Sequence, residues 1–233
     1  MAATIDILIP AFNEEDALPL VLMAIPKNLV RYVIVCNNGS TDRTASVAQT
    51  MGAIVVEQPL RGYGSACMKG IEYLRHLPSD EQPDIVVFLD ADYSDYPEEM
   101  SEIVAPILYD GKSLVIGSRS LDNLQSNVMT PPQRFGNWLA PLLIRCFYGA
   151  RFTDLGPFRA IRWQDLLALD MKDPNYGWTV EMQVKAAKNN LPFAEVPVRY
   201  RKRAGGKSKV SGTLKGSVLA GLKIIATILK EMR

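Results

Sequence analysis

The sequence predicts an α/β fold in which helices cover both faces of a mainly parallel β-sheet. Three observations support this prediction. The chain has 233 residues, enough for one large domain or two small ones. Its composition, 48% hydrophobic and 22% charged, is typical of a folded protein with a large core. Short β-branched runs alternate with longer amphipathic stretches, and strands that alternate with helices form parallel sheets covered on both sides.

The first half of the chain contains the regular alternation. Pro10 closes the first strand, and Ser40 or Thr41 is placed to cap the helix after the second strand. Pro97 stands at the first position of a helix whose first turn is acidic, and both features are favourable there. The predicted strands are residues 5–9, 32–36, 53–57, 85–89 and 114–117, and the predicted helices are residues 15–25, 43–51, 64–77 and 97–108.

The second half of the chain is less regular. Residues 120–132 have few apolar side chains and two adjacent prolines, so we predict a mobile loop there. We divide the chain into a main domain, residues 1–210, and a C-terminal amphipathic helix, residues 211–233. The further predicted elements are helices over residues 134–148, 179–188 and 213–230 and a strand over residues 193–198.

Charge and cysteine content limit the possible functions. The net charge of +1 predicts neither nucleic-acid nor bulk membrane binding, although basic residues concentrate within residues 199–209. The three cysteines have no CxxC spacing, which indicates reduced thiols and a cytoplasmic location. The N-terminus lacks the pattern of a signal peptide, and no uncharged apolar run reaches the about 18 residues that a membrane span needs.

The most informative motif is Asp90-Ala91-Asp92, directly after the apolar run of residues 85–89. Two carboxylates at the end of a buried strand are costly unless a cation compensates them. Mg²⁺ and Mn²⁺ bind oxygen ligands and often combine one or two carboxylates with the phosphates of a substrate. The motif therefore suggests a metal–nucleotide site. Two solvated loop aspartates are the alternative.

Two other polar segments are expected at the same edge of the sheet. Residues 10–14 follow the first predicted strand, and residues 37–40 follow the second. Ligands of parallel α/β sheets bind beyond the carboxyl ends of the strands. Three candidate motifs that begin at such ends favour a functional site over chance.

The motifs also occur in an order that one enzyme family shows. They are residues 10–14 (PAFNE), 37–42 (NNGSTD), 90–92 (DAD), 117–119 (GSR), 153–160 (TDLGPFRA) and 203–209 (RAGGKSK). This ordered set resembles family-2 glycosyltransferases of the GT-A fold, in particular polyprenyl-phosphate sugar synthases of the dolichol-phosphate mannose synthase type. The resemblance implies a Rossmann-like nucleotide-binding sheet, a GT-A catalytic domain over residues 1–210, and inverting transfer of a hexose from a nucleotide sugar.

The resemblance also implies a metal site and a set of donor-binding residues. Asp92, helped by Asp90, would hold Mg²⁺ or Mn²⁺ at the donor diphosphate, where the metal acts as a Lewis acid. Ser94 stands where relatives carry glutamine, so the third metal ligand departs from the family pattern. The implied donor-binding residues are Pro10, Phe12, Glu14, Asn37, Asn38, Asp90, Ala91, Asp92, Arg203 and Lys209.

Asn37 and Asn38 stand where the family usually has two aspartates. A carboxylate only accepts hydrogen bonds and suits the two N–H donors of guanine, whereas an amide both donates and accepts and matches uracil. We therefore favour a UDP-sugar, such as UDP-glucose, over GDP-mannose. A tight turn that tolerates left-handed dihedral angles also explains the sequence Asn-Asn-Gly.

Two arginines point to the acceptor. By resemblance, Arg119 and Arg134 hold the phosphate of a polyprenyl or dolichyl phosphate, because guanidinium matches phosphate oxygens. A phosphate monoester needs no general base. If the acceptor were a hydroxyl group of a glycan or lipid, Asp154 or Glu181 would have to deprotonate it as a catalytic residue.

The C-terminal stretch and the remaining alternatives complete the predictions. Residues 213–230 carry an apolar stripe with lysines on another sector, which suits a peripheral membrane surface, packing on the core, or a homo-oligomer interface.

An aspartyl-phosphate-type phosphatase is the alternative enzyme, because residues 90–94 resemble its first motif. A nucleotide-sugar-binding module without catalysis is the third alternative.

Overall fold

A computed structural model describes residues 3–121, 131–205, 225–228 and 230–231, without the side chains of residues 131–135. Several predictions lie outside these residues. They concern most of the loop over residues 120–132, the side chain of Arg134, Lys209, the domain boundary at residue 210 and most of the helix over residues 213–230.

The strands form one seven-stranded sheet in the order β3-β2-β1-β4-β6-β5-β7. The neighbours β3, β2, β1 and β4 run parallel, as do β5 and β7, so the predicted mainly parallel sheet is confirmed. The strands are β1 (Ile5–Ala11), β2 (Tyr32–Asn37), β3 (Ile54–Glu57), β4 (Ile85–Phe88), β5 (Leu114–Ser118), β6 (Arg159–Arg162) and β7 (Phe193–Pro197).

Helices cover both faces of the sheet, as predicted. On one face α1, α2 and α4 pack against apolar side chains of the strands, and on the other face α3, α5, α6 and α7 do so. The helices are α1 (Leu18–Ala24), α2 (Thr44–Thr50), α3 (Tyr63–Arg75), α4 (Met100–Tyr109, after a 3₁₀ turn over Pro97–Glu99), α5 (Pro131–Tyr148), α6 (Trp163–Leu169) and α7 (Trp178–Lys188). Among the described residues, no helix is long and apolar enough to cross a membrane.

Strand β6 and helix α6 were not predicted. β6 lies between β4 and β5 and is antiparallel to both. Its four residues begin and end with arginine, so the sequence lacks the apolar run of the other strands. The strand tolerates the fully buried Arg159 because carbonyl groups accept hydrogen bonds from its guanidinium in place of solvent.

The predicted end of β1 and the predicted cap of α2 were wrong. β1 continues past Pro10 to Ala11, because Pro10 pairs with Cys36 without needing an N–H group of its own. Helix α2 is not capped by Ser40 or Thr41. The carboxylate of Asp42 instead accepts from the backbone N–H and the hydroxyl group of Thr44.

Candidate active site

The three predicted motifs meet at one edge of the sheet. β2, β1 and β4 are parallel neighbours, and they end at Asn37, Ala11 and Phe88. The segments that follow these strands therefore lie side by side, as the alternation of strands and helices predicted.

The turn after β1 is fastened to the turn after β2. The backbone N–H of Asn13 donates to the Ser40 hydroxyl group at 3.0 Å, and the Asn13 carboxamide accepts from the N–H of Thr41 at 2.8 Å. The N–H of Glu14 donates to the Thr44 hydroxyl group at 2.9 Å. Asn13 has a φ of 53°, a left-handed conformation that asparagine tolerates. These contacts fix the backbone at the buried residue Glu14.

Phe12 carries a cationic side chain on its ring. The guanidinium carbon of Arg61 lies 3.5 Å from the centre of the half-buried Phe12 ring. This is the geometry of a cation–π contact. Of the other predicted donor-binding residues at this edge, Pro10 is half-buried in β1 and Ala91 is buried.

The amide groups of Asn37 and Asn38 are engaged inside the protein. Asn37 donates to the Glu57 carboxylate at 2.8 Å. Asn38 donates to the carbonyl groups of Gln58 and Leu60 and accepts from the N–H of Gly62, at 3.1, 2.7 and 2.8 Å. The Asn38 amide thus holds the loop between β3 and α3. The predicted contact of the Asn38 amide with the nucleotide base is not supported by these hydrogen bonds, because they already engage the amide.

The two aspartates of the DAD motif have different environments. Asp90 is half-buried, and its Oδ1 atom is shielded from solvent and has no hydrogen-bond partner. Burial and, after it, the charge of Asp92 raise the pKa of Asp90 to about 7, although Tyr63 donates a hydrogen bond to it. The side chain of Asp92 is 20% exposed and can reach a ligand. Tyr93, which follows, has a φ of 59°, a strained conformation for a bulky residue and frequent at functional sites.

The segment after β7 packs along the DAD loop. Tyr200 forms an antiparallel bridge with Asp95, the N–H of Arg201 donates to the carbonyl of Ser94 at 2.9 Å, and the N–H of Ala204 donates to the carbonyl of Asp92 at 3.0 Å. These contacts anchor the segment after β7 to the DAD loop as far as residue 204.

Arg201 fastens this segment by its side chain. Its guanidinium lies 3.3 Å from the ring centre of Tyr93 and 4.0 Å from that of Tyr96. It also donates to the carbonyl groups of Tyr93 and Asp95, at 2.7 and 3.0 Å. Stacking on two aromatic rings while donating hydrogen bonds is a task that arginine performs and lysine does not.

Arg203 joins the first and third motifs. Its guanidinium lies 2.5 Å from the carboxylate of Glu14 and 3.9 Å from that of Asp92. The predicted proximity of Arg203 to the DAD motif is thus present in the geometry. A positive side chain between two acids is suited to contact an anionic ligand that binds at Asp92.

Arg119 and Asp154 form a buried ion pair. Two guanidinium nitrogens of Arg119 donate to the two carboxylate oxygens of Asp154, at 2.8 and 2.6 Å, and the backbone N–H of Arg119 donates at 2.7 Å. Asn137 of α5 adds a fourth hydrogen bond at 2.7 Å. Burial lowers the pKa of Arg119. The charge and hydrogen bonds of the Asp154 carboxylate raise this pKa by more than burial lowers it, so the net pKa is above its usual value.

The Glu181 carboxylate is engaged by the loop before α7 and by Lys185. It accepts from the backbone N–H groups of Lys172 and Asp173, at 2.9 and 2.7 Å, and pairs with Lys185 at 2.8 Å. It thereby orders the loop before α7, which in turn packs against the first turn of α3. The geometry gives Glu181 a structural task.

Ser94 and Asp95 are both buried below the DAD loop. Ser94 is 1% exposed, and its side chain hydrogen-bonds to Tyr200. Asp95 is 2% exposed, and neither of its carboxylate oxygens has a hydrogen-bond partner. Burial, followed by the charge of Asp90, raises the pKa of Asp95 well above its usual value. The role of Ser94 as a metal ligand stays a prediction.

The match to a protein family decides what kind of site this is. The profile described as Glycosyl transferase family 2 matches residues 6–167. The chain is a family-2 glycosyltransferase. The phosphatase alternative is thereby set aside, and the resemblance of the ordered motifs is confirmed.

Relatives and solved structures support the assignment. An uncharacterized glycosyltransferase of Mycobacterium tuberculosis is 36% identical over 217 residues, which cover 93% of this chain and 94% of the relative. A dolichyl-phosphate hexose transferase of Haloferax volcanii is 32% identical over 222 residues, 94% of this chain and 92% of the relative.

The fold is also that of a solved enzyme. Glucosyl-3-phosphoglycerate synthase of Mycobacterium tuberculosis, crystallised with Mn²⁺, UDP-glucose and phosphoglyceric acid, superposes with a TM-score of 0.75 at 25% identity. The likeness covers 99% of this chain and 80% of that chain. The predicted GT-A fold of the family-2 glycosyltransferase is therefore confirmed.

The carboxylates of the glycosyltransferase fit a divalent cation only in part. Within the described ranges, no three His, Cys, Asp or Glu side chains are grouped so that they could hold a metal ion by themselves. The buried Oδ1 of Asp90 has no partner, and the Asp92 carboxylate is partly exposed, so both retain oxygen atoms for a cation. A metal here needs further ligands, which a substrate diphosphate supplies in many Mg²⁺ sites.

Several residues at the site were not predicted from the sequence. Tyr63, Asp95 and Arg201 contact or border the DAD motif, yet none of them is among the site residues predicted from the sequence. Arg201 had one signal in the sequence, because Arg199, Arg201 and Arg203 alternate as side chains on one face of an extended segment do.

Proposed function

We propose that this family-2 glycosyltransferase is an inverting, metal-dependent hexosyltransferase. It moves a hexose from a nucleotide sugar, preferentially a UDP-sugar, to a polyprenyl phosphate. The observation that carries the choice of acceptor is that both candidate bases are already engaged. Asp154 accepts four hydrogen bonds from Arg119 and Asn137, and Glu181 accepts from backbone N–H groups and Lys185. A phosphate acceptor is already anionic and needs no base.

The donor is placed at the edge formed by β1, β2 and β4. Asp92, with Asp90, would hold Mg²⁺ or Mn²⁺, which supplies charge neutralisation for the departing diphosphate. Arg203 exchanges its contact with Glu14 for the diphosphate oxygens and adds positive charge where negative charge develops. The acceptor phosphate oxygen attacks the anomeric carbon from the opposite side, and the bond to the nucleoside diphosphate breaks, so the anomeric configuration inverts.

The relatives support a phosphate-bearing acceptor and a uridine nucleotide. The Haloferax relative is named for dolichyl phosphate, and the mycobacterial synthase holds phosphoglyceric acid, so both are associated with phosphate-bearing compounds. The same crystal contains UDP-glucose and Mn²⁺. The Asn38 amide is engaged inside the protein. The UDP-glucose in the mycobacterial crystal therefore supports a UDP-sugar donor more strongly than the presence of Asn37 and Asn38 does.

Ligand-induced stabilisation tests the donor. We expect UDP with Mn²⁺ to raise the melting temperature of the protein more than GDP with Mn²⁺, and neither nucleotide to do so fully in EDTA. A larger effect of GDP would favour GDP-mannose. No effect of either nucleotide with metal would contradict a nucleotide-sugar site.

A transfer assay tests the acceptor. Labelled glucose from UDP-glucose should appear on a short-chain polyprenyl phosphate and not on the matching polyprenol. Arg134→Ala should abolish this transfer while slow hydrolysis of the donor continues. Transfer to the alcohol instead would favour a hydroxyl acceptor, and donor binding without any transfer or hydrolysis would favour a binding module. The cytoplasmic location and self-association remain predictions.

A further inference from the structure

Glu195 of β7 binds the turn that carries Asp154. Both carboxylate oxygens of this half-buried residue accept from the backbone N–H of Thr153 at 2.9 Å, and one of them accepts from the N–H of Asp154 at 3.2 Å. Hydrogen bonds to a charged acceptor are stronger than those to a neutral one. The Glu195 carboxylate therefore holds the backbone of residues 153 and 154 against β7.

Other contacts hold the same turn. The side-chain amide of the buried Gln183 donates to the carbonyl of Asp154 at 2.8 Å, so the backbone N–H and the backbone carbonyl of Asp154 are both engaged. A Cβ atom on Gly156 would lie 2.3 Å from the carbonyl oxygen of Gly117, so the turn approaches the end of β5 more closely than a larger residue would allow. The turn is thus held between β5, β7 and α7.

The position of Arg119 depends on this turn. Arg119 follows β5 directly and is 8% exposed, and Asp154 accepts from its backbone N–H, its Nε and its Nη2 groups. β5 and β7 are parallel neighbours in which Ile116 pairs with Glu195, so the carboxylate and the arginine belong to adjacent strands. A displacement of the Asp154 backbone would move the carboxylate that Arg119 binds. Glu195 is thereby linked to the guanidinium through Asp154.

From these contacts we infer that Glu195 is a positioning residue for the acceptor. Glu195 holds Asp154, and Asp154 holds the Arg119 guanidinium, whose remaining N–H groups meet the acceptor phosphate. The inference rests on the proposed function, because Arg119 is the predicted contact of that phosphate. A guanidinium that is fixed before binding loses less conformational entropy when the ligand arrives. Glu195 thus acts on the binding of the acceptor and not on that of the donor, which lies at the edge formed by β1, β2 and β4.

Glu195→Gln tests the inference in the transfer assay. The amide keeps the size of the side chain but offers one acceptor oxygen instead of two. We expect the KM for a short-chain polyprenyl phosphate to rise by about tenfold, and kcat and the KM for UDP-glucose to change by less than about twofold. Glu102→Gln replaces an exposed glutamate of α4 and should leave all three values unchanged. An unchanged KM for the acceptor, or equal rises in both KM values, would overturn the inference.

A double-mutant cycle tests whether Glu195 acts through Arg119. Arg119→Lys keeps the positive charge but loses the paired hydrogen bonds to Asp154, so it should itself raise the KM for the acceptor. In this background Glu195→Gln should raise that KM by less than about twofold, because the guanidinium that it positions is gone. A further rise of about tenfold would show that the two residues act independently and would contradict the inference. Urea unfolding curves check that each variant folds.

Hydrogen exchange reports on Arg119 without any acceptor. In heteronuclear NMR spectra, the Nε–H and the backbone N–H of Arg119, which both donate to Asp154, should exchange with solvent faster in Glu195→Gln than in the wild type or in Glu102→Gln. Equal exchange rates in all three proteins would refute the positioning role. A wild type that transfers no sugar to polyprenyl phosphate would refute the proposed function, and the exchange rates would still decide whether Glu195 positions Arg119.

Discussion

Asp90 and Asp95 place incompletely satisfied carboxylate oxygens beneath the donor edge. The pKa of Asp90 rises from 3.8 to about 7, and the pKa of Asp95 rises in the same direction, because burial and neighbouring acids disfavour their charged forms. Natural proteins rarely leave buried polar atoms without partners, and such exceptions mark strain or a functional site. The raised pKa values favour the neutral carboxyl groups, and a cation bound at the DAD motif would favour the charged form of Asp90.

The raised pKa of Asp90 predicts how stability depends on pH. The folded protein retains protons that the unfolded chain releases, so in EDTA the free energy of unfolding should fall as the pH rises from about 4 to about 7. In Asp90→Asn we expect this fall to be smaller by more than about 1 kcal/mol, since one pKa unit corresponds to about 1.4 kcal/mol. Urea denaturation across this range measures it, with the exposed Asp80→Asn as control. If the free energy of unfolding falls equally with pH in Asp90→Asn and in the wild type, the Asp90 carboxyl is not the source of this pH dependence.

Asp92 is the residue whose loss should affect the reaction most directly. Its carboxylate is partly exposed and lies 3.9 Å from Arg203. We expect Asp92→Asn to lower kcat/KM for sugar transfer by about 10² to 10³-fold, because one ligand of the metal at the leaving group is weakened. Steady-state kinetics with Mn²⁺ measure this effect, and Asp80→Asn should be unchanged. Full activity of Asp92→Asn would show that this oxygen does not bind the metal.

At the scale of the element, the segment over residues 199–204 packs along the DAD loop through one β-bridge and further backbone hydrogen bonds. Arg199 pairs with Glu99, Arg201 stacks on Tyr93 and Tyr96, and Arg203 reaches the donor edge. Arg199 and Arg201 anchor the segment, and this anchoring holds Arg203 at the site. The anchoring lowers the entropy that Arg203 would lose on binding a ligand.

We expect Arg201 to affect donor binding through the position of Arg203. We expect Arg201→Lys to raise the KM for the nucleotide sugar by about tenfold with little change in kcat, because lysine loses the stacking and the paired hydrogen bonds. Initial rates at varied donor concentration measure this difference. Lys202→Ala is the matched control, since Lys202 is exposed on the same segment. An unchanged KM in Arg201→Lys would mean that the segment is held without this side chain.

At the scale of the whole molecule, Arg159 joins parts that are distant in the sequence. It is fully buried in β6, and it donates to the carbonyl groups of Leu155, Gly156 and Thr179. Burial lowers its pKa to about 10. The inserted antiparallel strand, the turn that leads from Asp154 and the first turn of α7 are thus held by one cation.

Removal of this cation should destabilise the whole fold. In Arg159→Met, the carbonyl groups of the buried Leu155 and Gly156 and of the half-buried Thr179 lose this donor, and the loss of a buried donor costs about 1–3 kcal/mol. We expect the free energy of unfolding to fall by about 3 kcal/mol or more in urea denaturation. Arg162→Met in the same strand should cost less than about 1 kcal/mol, because Arg162 makes one long hydrogen bond, at 3.4 Å to Ile107. Equal effects of the two substitutions would contradict this role of Arg159.

The fold was largely predictable because its signals are local. The strands that became β1 to β5 are apolar runs between turn residues, and a parallel arrangement follows from the helices between them. β6 escaped prediction because its stability comes from Arg159 and from two neighbouring strands rather than from its own sequence. The site was predictable to the extent that its motifs follow strand ends.

Whether a predicted side chain is available to a ligand depends on its hydrogen bonds to residues outside the sequence motifs. Asn38, Asp154 and Glu181 are polar residues of the kind that sites require, yet their atoms are engaged by partners 8 to 35 positions away in the chain. Whether a carboxylate is available for chemistry is decided by such partners, because each oxygen accepts only a limited number of hydrogen bonds.

By itself, the sequence determined the α/β class, the sheet edge at which the motifs meet and the resemblance to family-2 glycosyltransferases, because apolar periodicity and motif order are properties of the chain alone. Only the tertiary structure decided that Arg201 anchors the segment bearing Arg203, that Asp154 serves Arg119, and that α5 exposes Trp138. These features depend on which distant groups share a neighbourhood, and burial and hydrogen bonding are settled only once the chain has folded.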